Sequence, residues 1–171
     1  YEARKFGVHS AMPNFQARLK CPDGFFMPPR MSRYSEVSRK VMDILREFSP
    51  LVQVVSIDEA YLDMSGTEDL HGRPEKVGQT IKDRILKRTQ LTCSVGIAPL
   101  KFLSKIASDM DKPDGLTVIR PEEVQSFINR LPIQKVPGVG KKTFKVLDEM
   151  GIKTLGDIGR LSEMMIVDRF G

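Results

Sequence analysis

The spacing of apolar and polar residues predicts a chain that alternates helices with short strands up to about residue 120. Apolar residues recur with helical spacing at 32–48, 74–88 and 99–110. Apolar runs that are typical of strands lie at 54–63, 92–98 and 116–119. Helices and strands in this order predict an α+β fold, in which a mixed antiparallel sheet carries helices on one face.

Both ends of the chain predict smaller elements. Residues 1–7 are typical of a helix end closed by Gly7, and a short helix is expected to start at Pro13. The apolar run 25–27, followed by two prolines, predicts an edge strand. After residue 120 the pattern is helical with short glycine or proline breaks. We therefore expect a boundary there, followed by a small all-α region.

Basic residues cluster on the predicted helix 74–88. They lie largely outside its apolar face, a pattern typical of a solvated helix surface. These residues are Lys82, Arg84, Lys87 and Arg88.

Composition places the chain among folded globular proteins. The 171 residues are 40% hydrophobic and 29% charged, which suits one ordinary domain or two small ones. The net charge of +5 is compatible with nucleic-acid binding without requiring it. Cys21 and Cys93 match no zinc spacing and are expected to be free thiols of a cytoplasmic protein. No apolar run is long enough to cross a membrane, so no membrane association is expected.

Two adjacent acids, Asp58 and Glu59, interrupt the apolar run 54–63. Neighbouring side chains of a regular strand point to opposite faces, so these acids converge only if the chain bends, as at a hairpin tip. Such a tip can hold Mg²⁺, which prefers a few carboxylate oxygens and leaves other positions to water and phosphates. The alternative is a strand end whose acids face water, and the residues alone leave both interpretations open.

A second candidate site is the glycine-rich turn 136–142 between two short apolar helices, a helix-hairpin-helix pattern. Gly138 and Gly140 allow close approach of a partner, and the following helix offers free N–H groups to a phosphate. Lys141 and Lys142 add positive charge at the same place. This pattern favours phosphate-backbone binding over the alternative of an ordinary helical turn with surface lysines.

Other polar residues are less informative by themselves. Lys112 lies in the predicted turn after the helix 99–110, where a simple surface charge is the default interpretation. His9 and His71 have no companions at metal-ligand spacing, so both are expected at the surface.

Several of these segments, taken together and in order, resemble the Y-family DNA polymerases of the DinB branch. The stretch 56–63 resembles the catalytic hairpin of that family, and 1–8 resembles its fingers helix. Residues 93–98, 101–105 and 107–115 resemble its palm, and 131–140 its thumb helix-hairpin-helix. The resemblance covers essentially the whole chain and implies fingers at 1–30, palm at 31–120 and thumb at 121–171.

The resemblance also implies roles for individual residues. Asp58 and Glu59 would be the catalytic acids that bind Mg²⁺, with two ions in the complete enzyme. The triphosphate of the dNTP would contact Tyr1, Arg4 and Lys112. The backbone of template–primer DNA would contact Gly138, Gly140, Lys141 and Lys142. The implied reaction is translesion DNA synthesis during damage repair, with a sliding clamp as a further partner.

Some family features are not found in the sequence. Family members carry a further metal-binding Asp and a ribonucleotide-excluding aromatic residue on a strand that precedes the region matched here, and a little finger that follows it. We therefore expect a fragment with little or no polymerase activity by itself. Asp63 and Asp109 are the acids available as substitutes, but neither is expected at the hairpin tip.

The sequence leaves two alternatives open. A non-catalytic helix-hairpin-helix module would explain the second site without catalysis. Another two-metal palm enzyme, such as a cyclase, would explain the acids but would leave Arg4, Lys112 and the helix-hairpin-helix without a role.

Overall fold

The computed structural model describes the backbone of residues 1–170 and the side chains of residues 1–67 and 69–170. The chain divides into two compact units, residues 1–34 and the residues from 35 onward. No helix in this described part of the chain combines the length and apolar character that crossing a membrane requires. The predicted α+β class is confirmed, because helices are combined with short paired strands.

The first unit contains two short helical segments. A 3₁₀ helix spans Glu2–Phe6 and ends, as predicted, at Gly7 with a φ of 76°. Helix α1 spans Asn14–Lys20, one residue after the expected proline start. The edge strand predicted at 25–27 is wrong: these residues adopt no strand, and the Phe25 side chain is fully exposed. The two prolines that follow lack the N–H donors that a strand ladder requires.

The second unit begins within α2 and contains all the paired strands of the described residues. Up to residue 120 its helices are α2 (Met31–Arg46), which begins in the first unit, α3 (Glu68–His71), α4 (Pro74–Thr89) and α5 (Lys101–Met110). Strands β1 (Val52–Val54) and β2 (Ala60–Leu62) pair antiparallel, whereas β3 (Val95–Ile97) and β4 (Leu116–Val118) pair in parallel. The strands thus form two ladders of two strands each rather than one continuous sheet.

The region after residue 120 is helical, as predicted. It contains a 3₁₀ turn at Pro121–Glu123 and another at Ile133–Lys135. Its helices are α6 (Val124–Arg130), α7 (Lys141–Glu149), α8 (Leu155–Ile158) and α9 (Glu163–Phe170). The proposed division into fingers, palm and thumb at residues 30 and 120 stays a prediction.

Three apolar clusters stabilise the second unit. The first joins α2 to α4 and contains Met42, Ile44, Leu45, Phe48, Val77, Ile81 and Ile85. The second crosses residue 120 and joins α5 to the helical region through Leu103, Ile106, Ala107, Ile119 and Leu131. The third lies under the glycine-rich turn and contains Ile133, Leu147 and Ile152. Continuous packing across residue 120 fixes α5 relative to the helices that follow it.

Close packing of α5 against β3 depends on Gly96. A Cβ atom at this position would lie 2.1 Å from the carbonyl oxygen of Ser104 and 2.3 Å from the amide nitrogen of Ser108. Both are backbone atoms of α5, so a side chain at position 96 would force the helix away from the strand. The absence of a Cβ therefore sets the distance between α5 and the strands beside it.

Candidate functional site

The acidic pair lies in the turn of a β-hairpin, as the bend prediction required. Val54 of β1 is paired with Ala60 of β2, and residues 55–59 connect the two strands. The amide N–H groups of Val55 and Ser56 both donate to the carbonyl oxygen of Glu59, at 2.9 and 3.1 Å. The chain therefore turns sharply between the strands.

Asp58 is exposed at the hairpin tip and is oriented by its own turn. The Ser56 hydroxyl donates to Asp58 Oδ1 at 2.6 Å and accepts from the Asp58 amide at 3.3 Å. Serine two residues before an acid is a common local way to order a turn. One carboxylate oxygen of Asp58 is engaged in this contact, and its side chain faces solvent.

Glu59 is joined to α5 by an ion pair that the sequence did not predict. Its Oε1 accepts from the ammonium of Lys105, whose side chain is 27% exposed. Lys105 Nζ also lies 3.6 Å from Asp109 Oδ2, one helical turn further along α5. The spacing of Lys105 and Asp109 indicates an ion pair within the helix, but the contact with Glu59 spans 46 residues and depends on the fold.

Lys112 extends this chain of charges. Its ammonium lies 2.5 Å from Asp109 Oδ1. One carboxylate oxygen of Asp109 therefore lies near Lys112 and the other near Lys105. We call Glu59, Lys105, Asp109 and Lys112 the α5 ion network. The network connects the hairpin carrying the acids to the turn carrying Lys112, and negative and positive groups alternate along it.

Electrostatics keep the centre of the network charged at neutral pH. The hydrogen bond to Glu59 raises the pKa of Lys105, and the nearby Asp109 charge adds to this effect, against a smaller opposing effect of burial. Burial acts to raise the pKa of Asp109, but the hydrogen bonds from Lys112 and Lys105 and the charges of both lysines outweigh it, and the pKa is lowered. Asp109 is thus an anion held between two cations.

The donor chemistry of the hairpin tip suits a hard divalent cation only in part. Asp58 and Glu59 supply carboxylate oxygens, the ligand type that Mg²⁺ prefers. Among the described residues, however, no three His, Cys, Asp or Glu side chains are grouped so that they could hold a metal ion. Asp63 accepts from the Ser65 amide at 3.0 Å, and Asp109 faces the two lysines, so both candidate substitutes are otherwise engaged.

Tyr1 and Arg4 lie in the first unit, which is described by itself. The Arg4 guanidinium carbon lies 4.4 Å from the centre of the Tyr1 ring, a cation–π arrangement, and the Tyr1 side chain is largely exposed. The two side chains are therefore brought together and face solvent. Their contact with a triphosphate stays a prediction.

The glycine-rich turn connects the 3₁₀ turn Ile133–Lys135 to α7, which confirms the two-helix arrangement. Gly138 adopts a φ of 91°, and the Val139 amide donates to the Val136 carbonyl at 3.0 Å. Gly140 immediately precedes α7, and a Cβ at either glycine would meet no atom within 4 Å. Lys141 and Lys142 are exposed at the helix start. The turn thus presents open backbone and two cations on one surface.

Known protein families match both the region that contains the acidic hairpin and the region that contains the glycine-rich turn. Residues 1–109 match the impB/mucB/samB family, and residues 121–152 match the HHH motif of the IMS family. Proteins named DNA polymerase IV from Ralstonia nicotianae and Shewanella baltica are 44% and 46% identical over all 171 residues. The helix-hairpin-helix interpretation of residues 136–142 is thereby confirmed.

Solved structures agree with the sequence comparisons. An insertion ternary complex of Dbh DNA polymerase matches the whole chain with a TM-score of 0.91 and 40% identity, and the chain covers 50% of it. DinB from Sulfolobus solfataricus matches 95% of the chain with a TM-score of 0.87 and 41% identity, and 48% of its chain is covered. The chain likewise spans about half the length of the curated relatives, 48% for each of the two polymerases named above.

Proposed function

The chain belongs to the impB/mucB/samB family of Y-family, DinB-type DNA polymerases, and from this premise we propose that the whole protein extends a DNA primer under template direction. The primer 3′-hydroxyl attacks the α-phosphorus of a dNTP, a new phosphodiester bond forms, and pyrophosphate leaves. The proposed biological setting is translesion synthesis during DNA repair. The observation that carries the proposal is the hairpin that presents Asp58 and Glu59 beside the lysines of the α5 ion network.

Asp58 and Glu59 are the residues proposed to hold Mg²⁺. Bound Mg²⁺, as two ions, would activate the attacking hydroxyl and stabilise the leaving pyrophosphate. Asp58 is ordered by Ser56 and open to solvent, which favours access by a hydrated cation. Glu59 is held close to the hairpin turn by Lys105. A further carboxylate ligand is expected in the complete site.

The incoming triphosphate is proposed to contact Tyr1, Arg4 and Lys112. Positive side chains offset the negative charge that builds up on a triphosphate as pyrophosphate departs. The Lys112 ammonium has three N–H donors and uses one toward Asp109, so two remain for phosphate oxygens. The orientation of Lys112 by Asp109 supports this role.

The DNA backbone is proposed to contact Gly138, Gly140, Lys141 and Lys142. Open space above both glycines lets a phosphate approach the backbone, and the start of α7 offers N–H groups and a positive dipole end. Contacts of this kind hold the duplex without reading base sequence. A sliding clamp as a further partner and a cytoplasmic location are part of the same proposal.

The decisive experiment is primer extension by the whole protein with Mg²⁺ and dNTPs. Asp58→Ala is expected to lower the extension rate by about a hundredfold or more, because a metal ligand is lost, while DNA affinity stays within about twofold. Asp63→Asn is the matched control, since Asp63 is also an exposed acid of this region and is expected to retain activity.

Two outcomes would contradict the proposal. Unchanged extension by the Asp58→Ala variant would remove the metal-binding role of this residue. DNA binding by the wild-type protein without any extension would instead support a non-catalytic helix-hairpin-helix module.

A further inference from the structure

Asp109 occupies a central place in the α5 ion network. Its Oδ1 lies 2.5 Å from the Lys112 ammonium, and its Oδ2 lies 3.6 Å from that of Lys105. Lys105 in turn pairs with Glu59. Asp109 is therefore the one residue of this network that contacts both lysines.

The location of Lys112 makes such a contact consequential. Lys112 follows the end of α5 and lies in the turn that leads to β4, so its backbone alone does not fix the direction of its long side chain. A lysine side chain has four rotatable bonds and loses much rotamer freedom when its ammonium is held. Asp109, on the last turn of a packed helix, provides a fixed acceptor for that ammonium.

We propose that Asp109 is a positioning residue for nucleotide binding: it holds Lys112 where the triphosphate meets it, and through Lys105 it ties this lysine to the Glu59 side of the site. The inference rests on the proposed polymerase function and adds a residue to it. Asp109 itself contacts no phosphate, because two carboxylate oxygens facing a polyanion would repel it. Its effect passes through the ammonium groups.

A simpler role for Asp109 predicts the opposite sign. If Asp109 only neutralised nearby charge, its loss would leave two uncompensated lysines and would strengthen binding of the anionic triphosphate. If Asp109 positions Lys112, its loss frees the lysine and weakens binding. The direction of the change in dNTP affinity therefore separates the two roles.

The test is Asp109→Asn in the whole protein, assayed by steady-state primer extension. We expect the KM for dNTP to rise about two- to fivefold, the range that corresponds to a half-exposed ion pair, with kcat equal to or below that of wild type, because Lys112 also faces the charge that develops on the leaving pyrophosphate. Asp43→Asn is the control, because Asp43 forms the same i, i+3 ion pair with Arg46 at 2.8 Å on α2. An unchanged or lowered KM in the Asp109→Asn variant would overturn the inference.

A second measurement follows the lysine ammonium groups directly. Nitrogen-15 NMR of lysine side chains, recorded without metal or nucleotide, is expected to show a restrained Lys112 ammonium in the wild-type protein and a mobile one after Asp109→Asn. Equal mobility in both proteins would overturn the inference. If the wild-type protein extended no primer while Lys112 was restrained, the proposed function would fail and the contact would stand, so the two failures are distinguishable.

Discussion

At the level of single residues, Lys82 shows how a charged side chain can belong to the core. It lies on α4 and is only 8% exposed. Its ammonium donates to the carbonyl oxygen of Cys93 at 2.9 Å and to that of Asp114 at 2.6 Å, and it also pairs with the Asp114 carboxylate. Lys82 therefore anchors the turn that carries Lys112.

The expectation that Lys82 lies on a solvated helix surface was wrong. Its neighbours in the same charge run, Lys87 and Arg88, are exposed as predicted. Lys82 differs because its partners lie 11 and 32 residues away along the chain, and helical spacing contains no information about them. The same reason explains why the sequence yielded Asp58 and Glu59 but not their neighbour Lys105, whose contact with Glu59 also depends on tertiary structure.

Replacing Lys82 by methionine should destabilise the protein. The change keeps a flexible side chain of similar length but removes the ammonium, which leaves two backbone carbonyl groups and the Asp114 carboxylate without this donor. A loss of about 2–4 kcal/mol in the free energy of unfolding is expected, measured by urea denaturation. Lys87→Met, at an exposed position of the same helix, is expected to change it by less than about 0.5 kcal/mol. Equal effects of the two variants would contradict the anchoring role.

At the level of elements, glycines at two positions serve different purposes. Gly96 permits the contact between β3 and α5, whereas Gly140 faces open space before α7 with a φ of −82°. The φ of Gly140 is one that any residue adopts. Its small size is therefore not required by the fold, which makes it a clean probe of the proposed DNA contact.

Alanine at these two glycines should separate folding from binding. Gly96→Ala is expected to cost at least about 1–3 kcal/mol of unfolding free energy, because its Cβ would collide with the backbone of α5. Gly140→Ala is expected to leave stability within about 0.5 kcal/mol and to weaken DNA binding several-fold, as measured by fluorescence anisotropy. Unchanged DNA affinity after Gly140→Ala would argue against backbone approach at this turn.

The start of α8 carries a reciprocal cap that depends on pH. Asp157 Oδ2 accepts from the amide of Thr154 at 2.9 Å and from that of Lys153 at 3.1 Å, while the Thr154 hydroxyl accepts from the Asp157 amide. The hydrogen bonds from the Thr154 amide and hydroxyl have the largest effect on the pKa of Asp157, followed by the hydrogen bond from the Lys153 amide. Together they lower this pKa from its ordinary value of 3.8. Folding therefore favours the ionised form of this acid.

This cap should lose its effect in acid. A group whose pKa is lowered by folding contributes fully above the unfolded-state value of 3.8 and ceases to contribute as the pH falls through its folded-state pKa. Wild type is thus expected to be more stable than Asp157→Asn at pH 7, with the gap closing below pH 3.8, in urea titrations at several pH values. Asp148→Asn, at an exposed site on α7, is the control, and a gap that persists unchanged at low pH would contradict this account.

The elements themselves were largely predictable because the helices carry strong periodic patterns. The long helices α2, α4 and α5 formed where apolar spacing placed them. Strand pairing was less accessible, since β3 pairs with β4 across an intervening helix and β1 pairs only with β2. Short strands of three residues carry too little pattern to specify their partners.

At the level of the whole molecule, α5 connects the acidic hairpin to the helix-hairpin-helix within the second unit, because it pairs with Glu59 through Lys105 and packs against the region after residue 120. Leu103 and Ile106 of α5 pack in the same cluster as Leu131, which precedes the glycine-rich turn. This packing fixes the position of α5 relative to the segment that precedes the glycine-rich turn. The sequence identified both sites as separate motifs and the apolar face of α5 from its helical spacing, but that spacing contains no information that Leu103 and Ile106 pack against Leu131.

A phosphate-binding turn predicts a specific dependence of DNA affinity on salt. Each phosphate neutralised by a lysine releases condensed counterions, so the logarithm of the binding constant falls linearly with the logarithm of salt concentration. The double variant Lys141→Gln/Lys142→Gln is expected to reduce this slope by up to about 2 units for duplex DNA, because it removes up to two contacts. Lys145→Gln is the control, since Lys145 is exposed one turn further along α7, beyond the helix start. A wild-type affinity that does not change with salt would contradict phosphate binding by this protein, and an equal change of slope in the control would place the DNA contact elsewhere on the molecule.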